Sequence, residues 1–112
     1  MDSKKFIQDF MFIFTYDVLN KDTRYTLMCL MQCQNMFKAE TTVNIFPWFM
    51  KQKFDIPTEK LDYILEYLHN AGWITANHFE KYYEVTINYD KIEKVRTAII
   101  NYNKKKYVKK GN

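Results

Sequence analysis

Apolar residues recur at helical spacing over most of the chain and alternate with polar ones in two short stretches. Phe6, Ile7, Phe10, Met11, Phe14 and Val18 follow an i, i+4, i+7 rhythm that predicts a helix from Ser3, a capping residue, to Leu19. Phe10, Phe12, Ile13 and Phe14 spread the apolar surface beyond one face. This helix is therefore expected to make a homodimer or to pack closely against the last helix. A second helix is expected from Asp22 to Phe37, with Leu27, Leu30, Met31, Gln34 and Phe37 on its inner side. Glu40 to Ile45 is β-branched and reads as a short strand.

Two Gly and two Pro, all from residue 47 onward, punctuate the chain. Pro47 suits the first turn of a helix over Phe46 to Phe54, and Asp55 then sits at a tight turn. Leu61, Ile64, Leu65 and Leu68 mark a fourth helix from Thr58 to Ala71, which Gly72 closes in the left-handed region. Trp73 to Ala76 and Lys81 to Asn88 read as strands joined by a turn at Asn77 to Glu80, with Tyr83, Val85 and Ile87 alternating with Tyr82, Glu84 and Thr86. Asp90 and Glu93 have capping-box spacing and open a last helix with Ile92, Val95, Ile99 and Tyr102 inside.

The expected class is α+β and mostly helical: a winged helix-turn-helix with an extra N-terminal helix and a C-terminal helix. A domain over 1–103 precedes a Lys-rich tail over 104–112. Composition sharpens this picture in two ways. Aromatic residues make up 18% of the chain, more rings than a core of this size readily buries, so some belong at the surface, stacked on something or docked to a partner. The net charge is +4, yet Lys104, Lys105, Lys106, Lys109 and Lys110 lie together without an acid. Removing those five from seventeen basic residues leaves twelve against thirteen acids, so the positive charge is a C-terminal feature.

Several classes of function find no support. His69 and His78 lie on different elements, no Gly-rich phosphate loop is present, and no acid–base cluster surrounds a nucleophile, so no catalytic residue and no cofactor are expected. Cys29 and Cys33 at i, i+4 lack metal-site spacing with a His and read as buried thiols in a reducing cytoplasm; no metal is expected. The start of the chain does not have the pattern of a signal peptide, and no apolar stretch approaches the ~20 residues of a membrane span.

What remains is the chemistry of single-strand binding, in which rings stack on bases and Lys contacts phosphates. The candidates are Tyr82 with Phe79 and Lys81 on the hairpin, Tyr63, Tyr67 and Lys60 on the fourth helix, and Lys51 and Lys53 on the third. Tyr107, inside the run from Lys104 to Lys110, joins them. Trp48 and Phe49 are open to core, stacking or interface roles, one of them being expected in the core. The outer face of the fourth helix carries Glu59, Asp62 and Glu66 against Lys60, which disfavours readout of a duplex groove.

The stretch FMKQKFDIPTEKLDYILEYLHNAGWI, Phe49 to Ile74, resembles the helix-turn-helix and wing entry of MarR-type winged-helix proteins, with Asp55 where Gly is usual. In size, winged-helix core, aromatic and Lys-rich content and bias toward residues with AT-rich codons, the chain is similar to the single-stranded-DNA-binding proteins of staphylococcal cassette chromosome elements, built on a winged helix in place of an OB-fold. That resemblance implies low-specificity binding of single-stranded DNA in replication or transfer of a mobile element, beside a helicase or other replication protein. A double-strand-binding transcriptional regulator is the alternative expectation, and a protein-interaction module dimerising through its first helix is a third.

Overall fold

The computed structural model describes residues 3–110, with side chains through Lys105. Five helices surround a small antiparallel sheet: α1 (Ser3–Thr15), α2 (Lys21–Met36), β1 (Thr42–Ile45), α3 (Pro47–Phe54), α4 (Thr58–Asn70), β2 (Ile74–His78), β3 (Tyr83–Ile87) and α5 (Tyr89–Lys110). The strand order is β1-β3-β2, with β3 central. Val43 faces Val85 and Ile45 faces Tyr83 across one ladder, while Ile74 faces Ile87 across the other. The α+β, mostly helical class expected from the pattern is the observed one.

The core lies between α2, α4 and the inner face of the sheet. Leu27, Leu30, Met31, Leu61, Ile64, Leu65, Leu68, Val85 and Ile92 are fully or almost fully buried. Helix ends are set by local chemistry. Asn20 Oδ1 accepts the Thr23 N–H at 2.9 Å and starts α2, so Asp22 lies in the first turn instead of at the cap. α2 closes through Lys38, at φ 55°, and α3 through Asp55, at φ 57° and ψ 40°. Past α4, Gly72 at φ 85° lets its own N–H reach the His69 carbonyl at 3.1 Å and the Trp73 N–H reach the Leu68 carbonyl at 2.9 Å.

Several expectations are corrected. α1 stops at Thr15, not Leu19, and Ser3 stands inside it. Its buried side chains are Asp9 and Ile13, with Phe6, Phe10 and Phe12 partly covered; Ile7, Met11 and Phe14 point to solvent and Val18 lies beyond the helix. The expected stripe is thus split, with Phe6 and Phe10 turned toward the core and the others away from it, because a helix apolar nearly all round does not reveal which side is inward. Phe37 is exposed, because α2 has already ended there. The hairpin turn lies at 79–82, two residues later than expected, since β2 extends to His78, whose ring stacks on Tyr83 at 4.2 Å. Asn88 caps α5, its Oδ1 accepting the Lys91 N–H at 3.1 Å. Asp90 and Glu93 pair instead with Lys94 and Lys5.

Two buried polar groups tie the periphery to the core. Gln34 Nε2 lies 3.3 Å from both the Ala39 and Glu40 carbonyls and holds the α2–β1 connection. Asp9, wholly buried, accepts from Arg96 Nε at 3.2 Å and joins α1 to α5. Burial raises the Asp9 carboxyl above its ordinary value, against the opposing pull of Arg96. α5 runs on through Lys104 and Lys105 to Lys110. Its inner stripe weakens outward, from buried Ile92 through half-buried Val95 to exposed Ile99 and Tyr102.

Candidate nucleic-acid interface

Pro47 starts α3 directly after β1, and the 79–82 turn projects beside that junction. Rings from both elements meet there. Phe79 stacks on Tyr82 with centroids 5.2 Å apart and planes 18° apart. Tyr82 reaches Phe46 at 5.5 Å, Phe46 reaches Trp48 at 6.5 Å, and Trp48 meets Phe49 edge-on at 5.8 Å. Phe49 continues to Phe37 at 5.5 Å. The result is a continuous aromatic belt from the hairpin tip to the end of α2. Trp48 is 63% exposed, Phe37 51%, Phe79 44% and Phe46 37%, whereas Phe49 packs against the core.

The belt borders a cleft of about 520 Å³ lined by Phe37, Val43, Ile45, Phe46, Trp48 and Phe49. β1 forms its floor and is the edge strand on that side of the sheet. Large exposed rings around an apolar cleft form a surface on which flat, apolar-faced groups can stack.

The structure brings together some of the residues singled out in the sequence and separates others. Tyr82 and Phe79 pack face to face, but Tyr82 lies in the turn and not on the strand, and its carbonyl accepts the Phe79 N–H at 2.8 Å. Lys81 stands exposed beside it. Lys51 and Lys53 are exposed on α3; Lys51 makes a loose pair with Asp55 at 3.4 Å, the kind of surface contact that costs little to give up. Tyr63 and Tyr67 are exposed on α4. Lys60 is engaged with Asp22 at 2.7 Å, linking α4 to α2, and this contact raises its ammonium above the ordinary value. Lys104 and Lys105 are exposed on α5; the side chains of Lys106, Tyr107, Lys109 and Lys110 lie outside those described.

The sequence pattern does not single out Phe46, puts Phe37 on the inner side of the second helix, and admits three roles for Trp48. The available signal was three rings packed into Phe46–Phe49 around the Pro that starts a helix. An eight-residue helix with one inward face cannot bury them all.

No cluster of three or more potential metal ligands occurs among the described residues. Cys29 and Cys33 are buried free thiols, pushed up by burial to about 12 and about 11. No helix among the described residues is long and apolar enough to cross a membrane. Comparison of the chain with known families, with curated proteins and with solved structures finds no match.

Proposed function

We propose that this chain is a winged-helix module that binds single-stranded DNA with low sequence specificity and performs no chemistry on it. The order α2, β1, α3, α4, β2, β3 with β3 central fits a winged helix, in which α3 and α4 form the helix-turn-helix and the β2–β3 hairpin is the wing. The observation that carries the reading is the exposed belt Phe79–Tyr82–Phe46–Trp48. Bases of every kind offer a face to such rings, and each stacked base contributes about 1–3 kcal/mol. Lys81 lies between Phe79 and Tyr82 in sequence, Lys51 and Lys53 follow Trp48 on α3, and all three are exposed, which supports a role for them as phosphate contacts.

The face of α4 speaks against the duplex alternative. Glu59, Asp62 and Glu66 are exposed there, and Lys60 is paired with Asp22. A helix entering the major groove approaches phosphates on both sides, and these carboxylates would repel them. In line with the resemblance to proteins of mobile elements, the proposal places the chain in replication or transfer of such an element, beside a helicase or other replication protein in the cytoplasm.

The test compares labelled oligo-dT with a random duplex of equal length at one salt concentration. Tighter binding of the single strand, weakened about tenfold or more by Trp48→Ala, is the expected result. Equal or tighter duplex binding, or a Trp48→Ala protein that binds like the parent, overturns it.

A further inference from the structure

The sheet is closed along one edge and open along the other. In the β2–β3 pair, Asn88 N–H donates to the Trp73 carbonyl and Phe79 N–H to the Tyr82 carbonyl. Hydrogen-bonded pairs alternate along an antiparallel ladder, so Glu84 and Thr86 face β2 while Tyr83 and Val85 turn their backbone groups toward Ile45 and Val43 of β1. Thr42 and Asn44 then direct their N–H and C=O outward from the sheet edge, and both residues line the aromatic cleft. On the opposite edge α4 packs along β2, and His69 Nδ1 accepts the outward N–H of Ala76 at 3.0 Å. Sheet edges are usually covered in some such way. Among the described residues, no backbone group pairs with Thr42 or Asn44 on the outer side of β1.

We propose that the Asn44 N–H and C=O hydrogen-bond the Watson–Crick edge of one unpaired base whose face stacks on Trp48, which lines the same cleft. The inference rests on the single-strand reading and adds to it the groups that tell an unpaired base from a paired one. A backbone N–H beside a C=O offers a donor next to an acceptor. The Watson–Crick edge of every DNA base does the same, as with N3–H and O4 of thymine or the amino group and N1 of adenine. The strand edge therefore suits any base, which fits low sequence specificity. In a duplex those atoms are held by the complementary strand and cannot reach β1.

Charge and strand length select a nucleic-acid strand over a protein strand as the occupant. Residues 37–54, which carry the cleft lining, hold Lys38, Lys51 and Lys53, all exposed, against one acid, Glu40. The rest of residues 1–103 has nine basic residues against twelve acids. The cleft segment is thus a positive region on an acidic body, complementary to a polyanion. β1 has only four residues, of which Thr42 and Asn44 face outward, so a protein strand added to this edge would gain few ladder bonds. One base needs a single outward residue and a ring to stack on, and Asn44 and Trp48 supply both.

The test titrates the full chain with oligo-dT and with an oligo-dT in which every thymine is methylated at N3. Methylation removes the N3–H donor and keeps the ring face, the phosphates and the charge. The parent should bind the methylated strand about tenfold more weakly. Asn44→Pro removes the outward N–H and leaves the β1–β3 ladder intact, because Pro is tolerated on an edge strand where its missing N–H would face solvent. This variant, checked by circular dichroism and melting temperature, should bind oligo-dT about tenfold more weakly and no longer separate the two strands. The methylated strand probes the parent itself, so the outcome does not depend on the variant folding. Equal binding of both strands by the parent overturns the inference and leaves the stacking reading, tested by Trp48→Ala, in place. A parent that binds neither strand overturns both. A folded Asn44→Pro protein that separates the strands as well as the parent does also overturns the inference. So does one that binds DNA normally but loses self-association in sedimentation without DNA, since β1 would then pair with a protein strand.

Discussion

At the scale of single residues, the rings differ in how firmly the fold holds them. Trp48 touches Phe46 and Phe49 but is mostly exposed, so its removal opens little cavity. Trp48→Ala is expected to leave the melting temperature within a few degrees while weakening oligo-dT binding by about 1–3 kcal/mol. Tyr82 sits between Phe79 and Phe46 and is half buried, so Tyr82→Ala should lower both binding and stability. Calorimetric melting beside a binding titration separates the two effects; a Tyr82→Ala protein that loses stability alone would make the ring a packing element. Asp9 gives a different expectation. Arg96 and Lys5 favour its ionised form, Glu93 disfavours it, burial outweighs them, and Tyr89 lies close enough to feel the charge. The folded state therefore holds the Asp9 proton more tightly than the unfolded chain does. Lowering the pH from neutral into the range just above the usual carboxylate value should stabilise the parent relative to Asp9→Asn. Denaturant unfolding of both proteins at a few pH values measures this, and a constant gap between them would show an Asp9 that titrates normally.

At the scale of elements, the junctions carry the specificity of the fold. Asn88 caps α5 through Lys91 N–H and donates from Nδ2 to the Gly72 carbonyl at 2.9 Å, joining the end of β3 to the α4–β2 turn. Lys91 adds to the same junction, its ammonium bonded to the Ala71 carbonyl and set 4.4 Å from the Trp73 ring centroid. Asn88→Ala should cost about 1–2 kcal/mol, the usual range for a lost cap. Gly72→Ala should cost a similar amount: the φ of 85° suits Gly, and an added Cβ would approach Lys91 Nζ at 3.4 Å. Urea unfolding checks both. An Asn88→Ala change within experimental error would mean that water replaces the cap without loss.

At the scale of the whole molecule, the net positive charge belongs to the C-terminal end of the sequence. The chain extends 59 Å in one direction against 27 and 22 Å in the others, and residues 97–105 of α5 are exposed throughout. The Lys-rich segment follows that exposed stretch. Without residues 104–112 the remaining chain is close to neutral, with one acid in excess. If three or four tail Lys engage phosphates, truncation after Asn103 should flatten the log–log salt dependence of oligonucleotide binding by roughly 2–3 units, at about 0.7 per contact. A residual, salt-insensitive affinity from stacking should survive. Parallel salt slopes for the two proteins would assign the phosphate contacts to Lys51, Lys53 and Lys81 on the folded surface. Lys91, engaged at the α4–α5 junction, is not available for that task.

Periodicity alone determined the order of the elements and the inward faces of α4 and β3, because each is apolar on one side only. Leu61, Ile64, Leu65 and Leu68 at helical spacing and Tyr83, Val85 and Ile87 in alternation admit a single burial pattern. Asp55 and Gly72 were legible as left-handed closures, because few residue types tolerate positive φ. The surplus of rings was legible as a number, but not by position. Which rings form the belt depends on the hairpin tip lying beside the start of α3, a contact between residues more than thirty positions apart, such as Phe46 with Tyr82. The same limit applies to α1. Its apolar residues surround the axis, and only the packing of α2 and α5 on the side of Asp9 and Ile13 leaves Ile7, Met11 and Phe14 in solvent. Local spacing encodes a face when one side of an element is polar. Where every side is apolar or aromatic, the neighbours supplied by the tertiary structure decide which side is buried and which is left to bind.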